Sequence, residues 1–176
     1  MSTGEEPQLL PVEAGAEESA PPPAAEPASL AATQAEIQDL DVDQPQVAIL
    51  MGSKSDMPAM EKAEVELTER GIRSETRVMS AHREPDVVAD YAKNAKLRGI
   101  RVIIAGAGLS AALPGVVAAH SELPVIGVPL TSRTSIAGGL DALLSISQMP
   151  PGVPVACVGV DNARNAAVLA ARILAA

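Results

Sequence analysis

His82 stands in the stretch Ser80-Ala81-His82-Arg83-Glu84. Histidine is the side chain best suited to donate a proton and later take it back at physiological pH. The competing reading is a loop histidine hydrogen-bonded to backbone. Arg83 offers a planar fork of donors suited to a phosphate, or else pairs at the surface with Glu84 or Asp86. Earlier in the chain, Met51-Gly52-Ser53-Lys54-Ser55-Asp56 supplies two hydroxyls and a carboxylate. Ser53 and Ser55 can donate to phosphate oxygens, whereas Asp56, an acceptor, suits a sugar diol. Later, the stretch from Gly106 to Gly115, Gly-Ala-Gly-Leu-Ser-Ala-Ala-Leu-Pro-Gly, carries no ionisable side chain. It can bring backbone close to a ligand and wall off a dry pocket, or it is simply a tight turn. Together the three stretches point to a nucleotide-like ligand. His120, the only other histidine, falls at the far end of a helical stretch and reads as an exposed residue at a helix C-terminus.

The elements that would position these groups follow from the pattern of the rest. Val47-Ala48-Ile49-Leu50 reads as a buried strand delivering the first polar loop, with a helix over 58–70 and a stop at Gly71. Strands are expected at 74–79, 101–105, 125–128 and 153–160. Helices are expected at 85–98, 114–121, 139–149 and 162–175. Strands alternating with helices, most of them unbroken apolar runs, predict a three-layer α/β/α sandwich. Its sheet is doubly wound, parallel and flavodoxin-like. Ligands in such a fold bind beyond the carboxyl ends of the strands, so the loops after strands one, two and three should converge.

Composition narrows the classes. The chain has 176 residues, enough for one domain with a sizeable core, and 47% are hydrophobic, yet it has no Phe or Trp and only one Tyr. Aromatic stacking of nucleic-acid bases is therefore not expected. The net charge of −9 belongs to the N-terminal stretch: residues 1–44 hold ten acidic and no basic residues, while the remainder holds 12 acidic and 13 basic. That stretch, rich in Pro, Ala and Glu, is expected to stay disordered, as a solvated extension or a partner-binding tail, with a short helix considered at 30–40. The catalytic domain is expected over 45–176. Neither a basic patch for nucleic acid nor an apolar run for a membrane span is present. Cys157, the single cysteine, reads as a small buried hydrophobe. No metal-ligand spacing, completed dinucleotide fingerprint or Walker pattern is found, so no cofactor is implied. The N-terminus carries no secretory or transit signature, which favours a cytoplasmic setting.

Residues 46–175 resemble the bacterial N5-carboxyaminoimidazole ribonucleotide mutases, the PurE family of purine biosynthesis. The resemblance rests on Met51-Gly52-Ser53-Lys54-Ser55-Asp56, on Ser80-Ala81-His82-Arg83 with Pro85, and on Leu113-Pro114-Gly115. It continues through Pro124-Val125-Ile126-Gly127-Val128-Pro129, Gln148-Met149-Pro150, Gly152-Val153-Pro154-Val155 and Asn165-Ala166-Ala167. It implies conversion of N5-carboxyaminoimidazole ribonucleotide to 4-carboxy-5-aminoimidazole ribonucleotide, with CO2 retained, no cofactor, and a homo-octamer. The family's substrate contacts carry over to Ser53, Asp56 and Arg83, and its catalytic histidine to His82. With the loop residues, the expected substrate contacts are Ser53, Ser55, Asp56, Ser80, Arg83, Gly106, Gly108 and Leu113.

Many family members place His before the Leu-Pro-Gly of the third loop. Here that residue is Ala112, so any auxiliary role of that side chain is absent. Two alternatives stand beside the mutase. One is a related carboxylase acting on aminoimidazole ribonucleotide or another mononucleotide; the third loop, Leu113-Pro114-Gly115, favours the mutase. The other is a regulatory binding module of the same fold. A phospho-receiver needs an Asp ending the third strand, where this chain has Ile104-Ala105-Gly106.

Overall fold

The computed structural model describes residues 44–176. The expected extension over 1–44, apart from its last residue, and the helix considered at 30–40 lie outside the described residues. Five strands, β1 (Val47–Met51), β2 (Ser74–Val78), β3 (Val102–Gly108), β4 (Val125–Leu130) and β5 (Ala156–Cys157), form one sheet. Their order is β2-β1-β3-β4-β5 and every neighbouring pair is parallel. Between them run α1 (Met57–Glu69), α2 (Pro85–Asn94), α3 (Leu113–His120) and α4 (Leu140–Ser147), and α5 (Ala163–Leu174) follows β5. The chain leaves β1 for β2 on one side and reaches β3 on the other, which opens a crevice at the switch between β1 and β3.

Alternation along β1 divides the core. Val47, Ile49 and Met51 pack with Met60, Ala63 and Leu67 of α1 and with Ala163, Ala166, Ala167 and Ala170 of α5. Ala48 and Leu50 face the other way, with Val88 and Tyr91 of α2, Val117 of α3 and Ile146 of α4. The result is the expected three-layer sandwich. Helix α1 begins with Pro58 in its first turn, where the missing N–H costs nothing. It stops where Gly71 adopts φ +70°, with Gly71 N donating to Thr68 O and Ile72 N to Leu67 O.

Two side-chain clusters pin the layers. Glu66 of α1 is buried and accepts from Arg70 Nη2 and from Arg164 Nε of α5, each at 2.6 Å. The Arg70 and Arg164 hydrogen bonds hold its carboxyl below the usual range, outweighing the opposing effect of burial. At the β2 edge, Glu75 accepts from the Tyr91 hydroxyl at 2.6 Å and pairs with Arg98. The Arg98 guanidinium lies 4.7 Å from the Tyr91 ring centroid.

The structure differs from the sequence expectation at three strands, with β4 running on from Val128 to Leu130 beside a longer β3. β3 continues to Gly108, so Gly106, Ala107 and Gly108, expected in a loop, pair with Val128, Pro129 and Leu130. Pro129 fits within β4 because its polar side faces beyond the end of β5, where its carbonyl accepts from Asp161 N at 2.8 Å. β5 is the opposite case: only Ala156–Cys157 pairs, with Ile126 and Gly127. Pro154 and the turn at Pro150–Val153 hold the preceding residues off the edge. Among the described residues, no helix is long and apolar enough to cross a membrane.

Candidate active site

The loops after β1, β2, β3 and β4 enclose a cleft of about 250 Å3 at the carboxyl ends of the strands. Its first wall is polar. Ser53 is extended and caps the short turn Lys54–Asp56, its Oγ accepting from Ser55 N at 3.2 Å and from Ser55 Oγ at 2.9 Å. Those bonds use Ser53 as an acceptor and leave its own hydrogen to point at a ligand. Asp56 lies within 3.3 Å of Ser55 Oγ. Burial pushes its carboxyl up, and the Ser55 and Ser53 hydrogen bonds and the Arg83 charge only partly oppose this.

The second loop brings Arg83 and His82 to the cleft. Arg83 Nη2 donates to Gly52 O at 2.7 Å, tying the β2 loop to the β1 loop. It makes no ion pair among the described residues, so neither Glu84 nor Asp86 claims it. Ser80 is buried, and its Oγ accepts from Arg83 N at 3.4 Å while its carbonyl accepts from Glu84 N at 2.8 Å. Between these anchors His82 is exposed to the cleft and makes no hydrogen bond to the described residues. It is therefore not the backbone-bonded loop histidine that its position also allowed. His120 sits exposed at the end of α3, away from the cleft.

The third wall is Ala107, Gly108, Leu109, Ser110, Ala112 and Leu113. It has no charge to compete for a proton. A Cβ at Gly108 would lie 2.9 Å from the Leu130 carbonyl oxygen, so glycine there lets β3 and β4 close up behind the wall. Leu109 holds φ +56°, a backbone region that bulky side chains rarely enter. It also borders a neighbouring groove of about 660 Å3 lined by Ile136, Leu144 and Gln148.

Of the expected site residues, His82, Ser53, Ser55, Asp56, Ser80, Arg83, Gly108 and Leu113 come together around this cleft. Gly106 does not. It lies buried in β3, where a Cβ would collide with the sulfur of Met60 on α1, so its role is to let that helix approach the sheet. Thr131 and Ser132, after β4, also line the cleft and were not anticipated. The rule that ligands meet strand carboxyl ends, applied to the fourth strand as well, would have found them. Cys157 is half-buried rather than fully so, and burial raises its thiol pKa. Among the described residues no three His, Cys, Asp or Glu side chains converge to hold a metal ion.

A family model described as AIR carboxylase matches residues 46–176. The chain is 58% identical over 130 residues to the N5-carboxyaminoimidazole ribonucleotide mutase of Thermotoga maritima, covering 74% of this chain and 75% of that protein. It is 54% identical over 134 residues to the phosphoribosylaminoimidazole carboxylase of Schizosaccharomyces pombe, covering 76% of this chain but 24% of that protein. The crystal structure of Treponema denticola PurE matches with a TM-score of 0.67 at 38% identity, covering 75% of this chain and 81% of that one.

Proposed function

The chain belongs to the AIR carboxylase family, and we propose that its cleft converts N5-carboxyaminoimidazole ribonucleotide to 4-carboxy-5-aminoimidazole ribonucleotide, a mutase step of purine biosynthesis. The observation that carries this reading is the position of His82, exposed to the cleft and uncommitted to any described partner. It faces an uncharged wall of Ala107, Gly108, Ala112 and Leu113.

Imidazolium at His82 donates to N5 of the substrate as the N5–carboxylate bond breaks, releasing CO2 and leaving an enamine whose C4 is nucleophilic. C4 then attacks the retained CO2, and the neutral His82 takes the C4 proton, which restores both the aromatic ring and the imidazolium. The protons balance with one residue and no other acid. The uncharged wall keeps CO2 beside C4 and water away, so that recapture is local rather than bimolecular. Ser53, Ser55 and Arg83 hold the phosphate and Asp56 the ribose diol, and this remote binding fixes the ring against His82. Ser80, Gly108 and Leu113 shape the remaining surface. Ala112 leaves the His82 proton cycle intact.

Residues 45–176 form the catalytic domain in this reading, outside the acidic extension, and the enzyme works in the cytoplasm as a homo-octamer. Exposed Leu97, Ile136, Leu140 and Leu144 give such an assembly apolar surface to cover. Purified protein incubated with N5-carboxyaminoimidazole ribonucleotide, without ATP or bicarbonate, is expected to give the C4-carboxylated product by mass-resolved assay. A second reading, carboxylation of aminoimidazole ribonucleotide by CO2, is favoured by the likeness to the Schizosaccharomyces pombe carboxylase. Product formed only when bicarbonate is added would overturn the mutase in its favour.

A further inference from the structure

Thr131 lines the cleft from the loop after β4, and both of its donors are already taken. Its N–H donates to Asp161 Oδ1 at 2.9 Å, and its hydroxyl donates to Asp161 Oδ2 at 2.6 Å. Asp161 is itself held. Its own N–H donates to Pro129 O at 2.8 Å, and its backbone adopts φ +54°, a conformation that glycine would enter without cost. A side chain retained at such a position carries a carboxylate placed to accept twice from one residue of the cleft. A carboxylate has no hydrogen to give, so the Thr131 hydroxyl must point its only hydrogen away from the ligand.

We propose that Asp161 is a positioning residue that fixes the Thr131 hydroxyl as a pure hydrogen-bond acceptor, so that this wall selects a donor group of the ribonucleotide, the exocyclic N–H on the imidazole or a ribose O–H. The inference rests on the mutase reading of the cleft and deepens it. An anionic group is repelled from the lone pairs that Thr131 presents. The phosphate therefore lies at the β1 and β2 loops, where Ser53 and Arg83 have donors to give, and the nucleotide has one way round.

Asp161→Asn separates this role from a structural one. The amide oxygen still accepts from Thr131 N, and Asn tolerates positive φ as well as Asp does. Its NH2, however, must donate to the Thr131 oxygen, which turns the hydroxyl hydrogen into the cleft. With N5-carboxyaminoimidazole ribonucleotide, Asp161→Asn is expected to raise KM about five- to tenfold, with kcat changed by less than about twofold. Thr131→Val is expected to do the same, Thr131→Ser to keep the wild-type KM, and the double variant Asp161→Asn, Thr131→Val to be no worse than Thr131→Val alone. An unchanged KM in Asp161→Asn, penalties that multiply in the double variant, or a Thr131→Ser as weak as Thr131→Val would overturn the assignment. Calorimetric binding of aminoimidazole ribonucleotide to the same variants repeats the comparison without turnover. A wild-type protein that binds this ligand in the same pattern but turns nothing over would sink the mutase reading and leave the role of Asp161 standing.

Discussion

Asp56 and Glu66 lie on one continuous stretch of chain, the first at the entry to α1 and the second within it, and their surroundings move them in opposite directions. Glu66 is buried against two arginines, and their hydrogen bonds hold it ionised. Asp56 is partly buried at the cleft with one hydroxyl, a backbone N–H and the Arg83 charge to help it, and burial wins. The first arrangement lowers the free energy of the fold by joining α1 to α5. The second leaves an under-compensated charge at the place where a ligand would complete it. The same contrast holds more widely. The Glu66 and Glu75 clusters are closed networks, whereas His82 and the Ser53 hydroxyl hydrogen are left without described partners. The molecule thus keeps stability and chemistry on different residues.

The strongest way to break that division is at His82. His82→Asn is expected to lower kcat by about a thousandfold while ligand binding and Tm stay near wild type. Near-normal turnover would remove the proton-transfer role, and a large fall in Tm would show that His82 is also structural. Gly108→Ala is the variant that should trespass on both sides. Its Cβ meets the Leu130 carbonyl, so overpacking is expected to cost about 1–3 kcal/mol in chemical denaturation and to weaken turnover as the wall shifts.

Glu66→Gln should touch stability alone. Because the folded carboxyl titrates below its unfolded value, its contribution is fully present above the unfolded range and is lost as pH falls through the folded one. The Tm of Glu66→Gln is therefore expected to lie below wild type at pH 7 and to converge with it on acidification, with kcat unchanged. Asp56→Asn has the smallest effect on Tm and the reverse sign. Its folded carboxyl titrates above the unfolded value, so the ionised group weakens the fold once pH rises through the folded value. Asp56→Asn should have a slightly higher Tm than wild type at pH 7, no difference in strong acid, and a KM raised about tenfold, because an NH2 donor replaces one of the two oxygens that accept from the ribose diol. A Tm lowered at pH 7 would place Asp56 on the same side of the comparison as Glu66.

The cleft side of this contrast was legible in the sequence because it depends on local signals. Apolar runs ending in Gly or Ser mark strand ends, and Pro58, Pro85 and Pro114 mark helix starts. The parallel order then brings the three loops together without further information. What escaped the sequence depends on partners distant along the chain. Gly-Ala-Gly reads as a loop, yet it is strand because β4 runs on past Pro129 to pair with it. Gly106 reads as a cleft residue, yet Met60 occupies the space beside it. The run 153–160 reads as a strand, but an edge keeps only the residues that find a ladder, here Ala156 and Cys157. Thr131 is hard to anticipate for the same reason, since its orientation is set by Asp161 from beyond the next strand.

Tyr91 is the chain's only Phe, Trp or Tyr residue, and this makes the protein an unusually quiet optical background. Near-ultraviolet protein absorbance comes from one phenol, packed at the β2 edge away from the cleft. An absorbing ligand can therefore be followed against a single fixed chromophore. Burial and the Glu75 hydrogen bond push that phenol well above its ordinary range, so it stays protonated in alkali while the fold persists. The tyrosinate band should appear as the β2 edge opens, giving a built-in colorimetric readout of unfolding that needs no label.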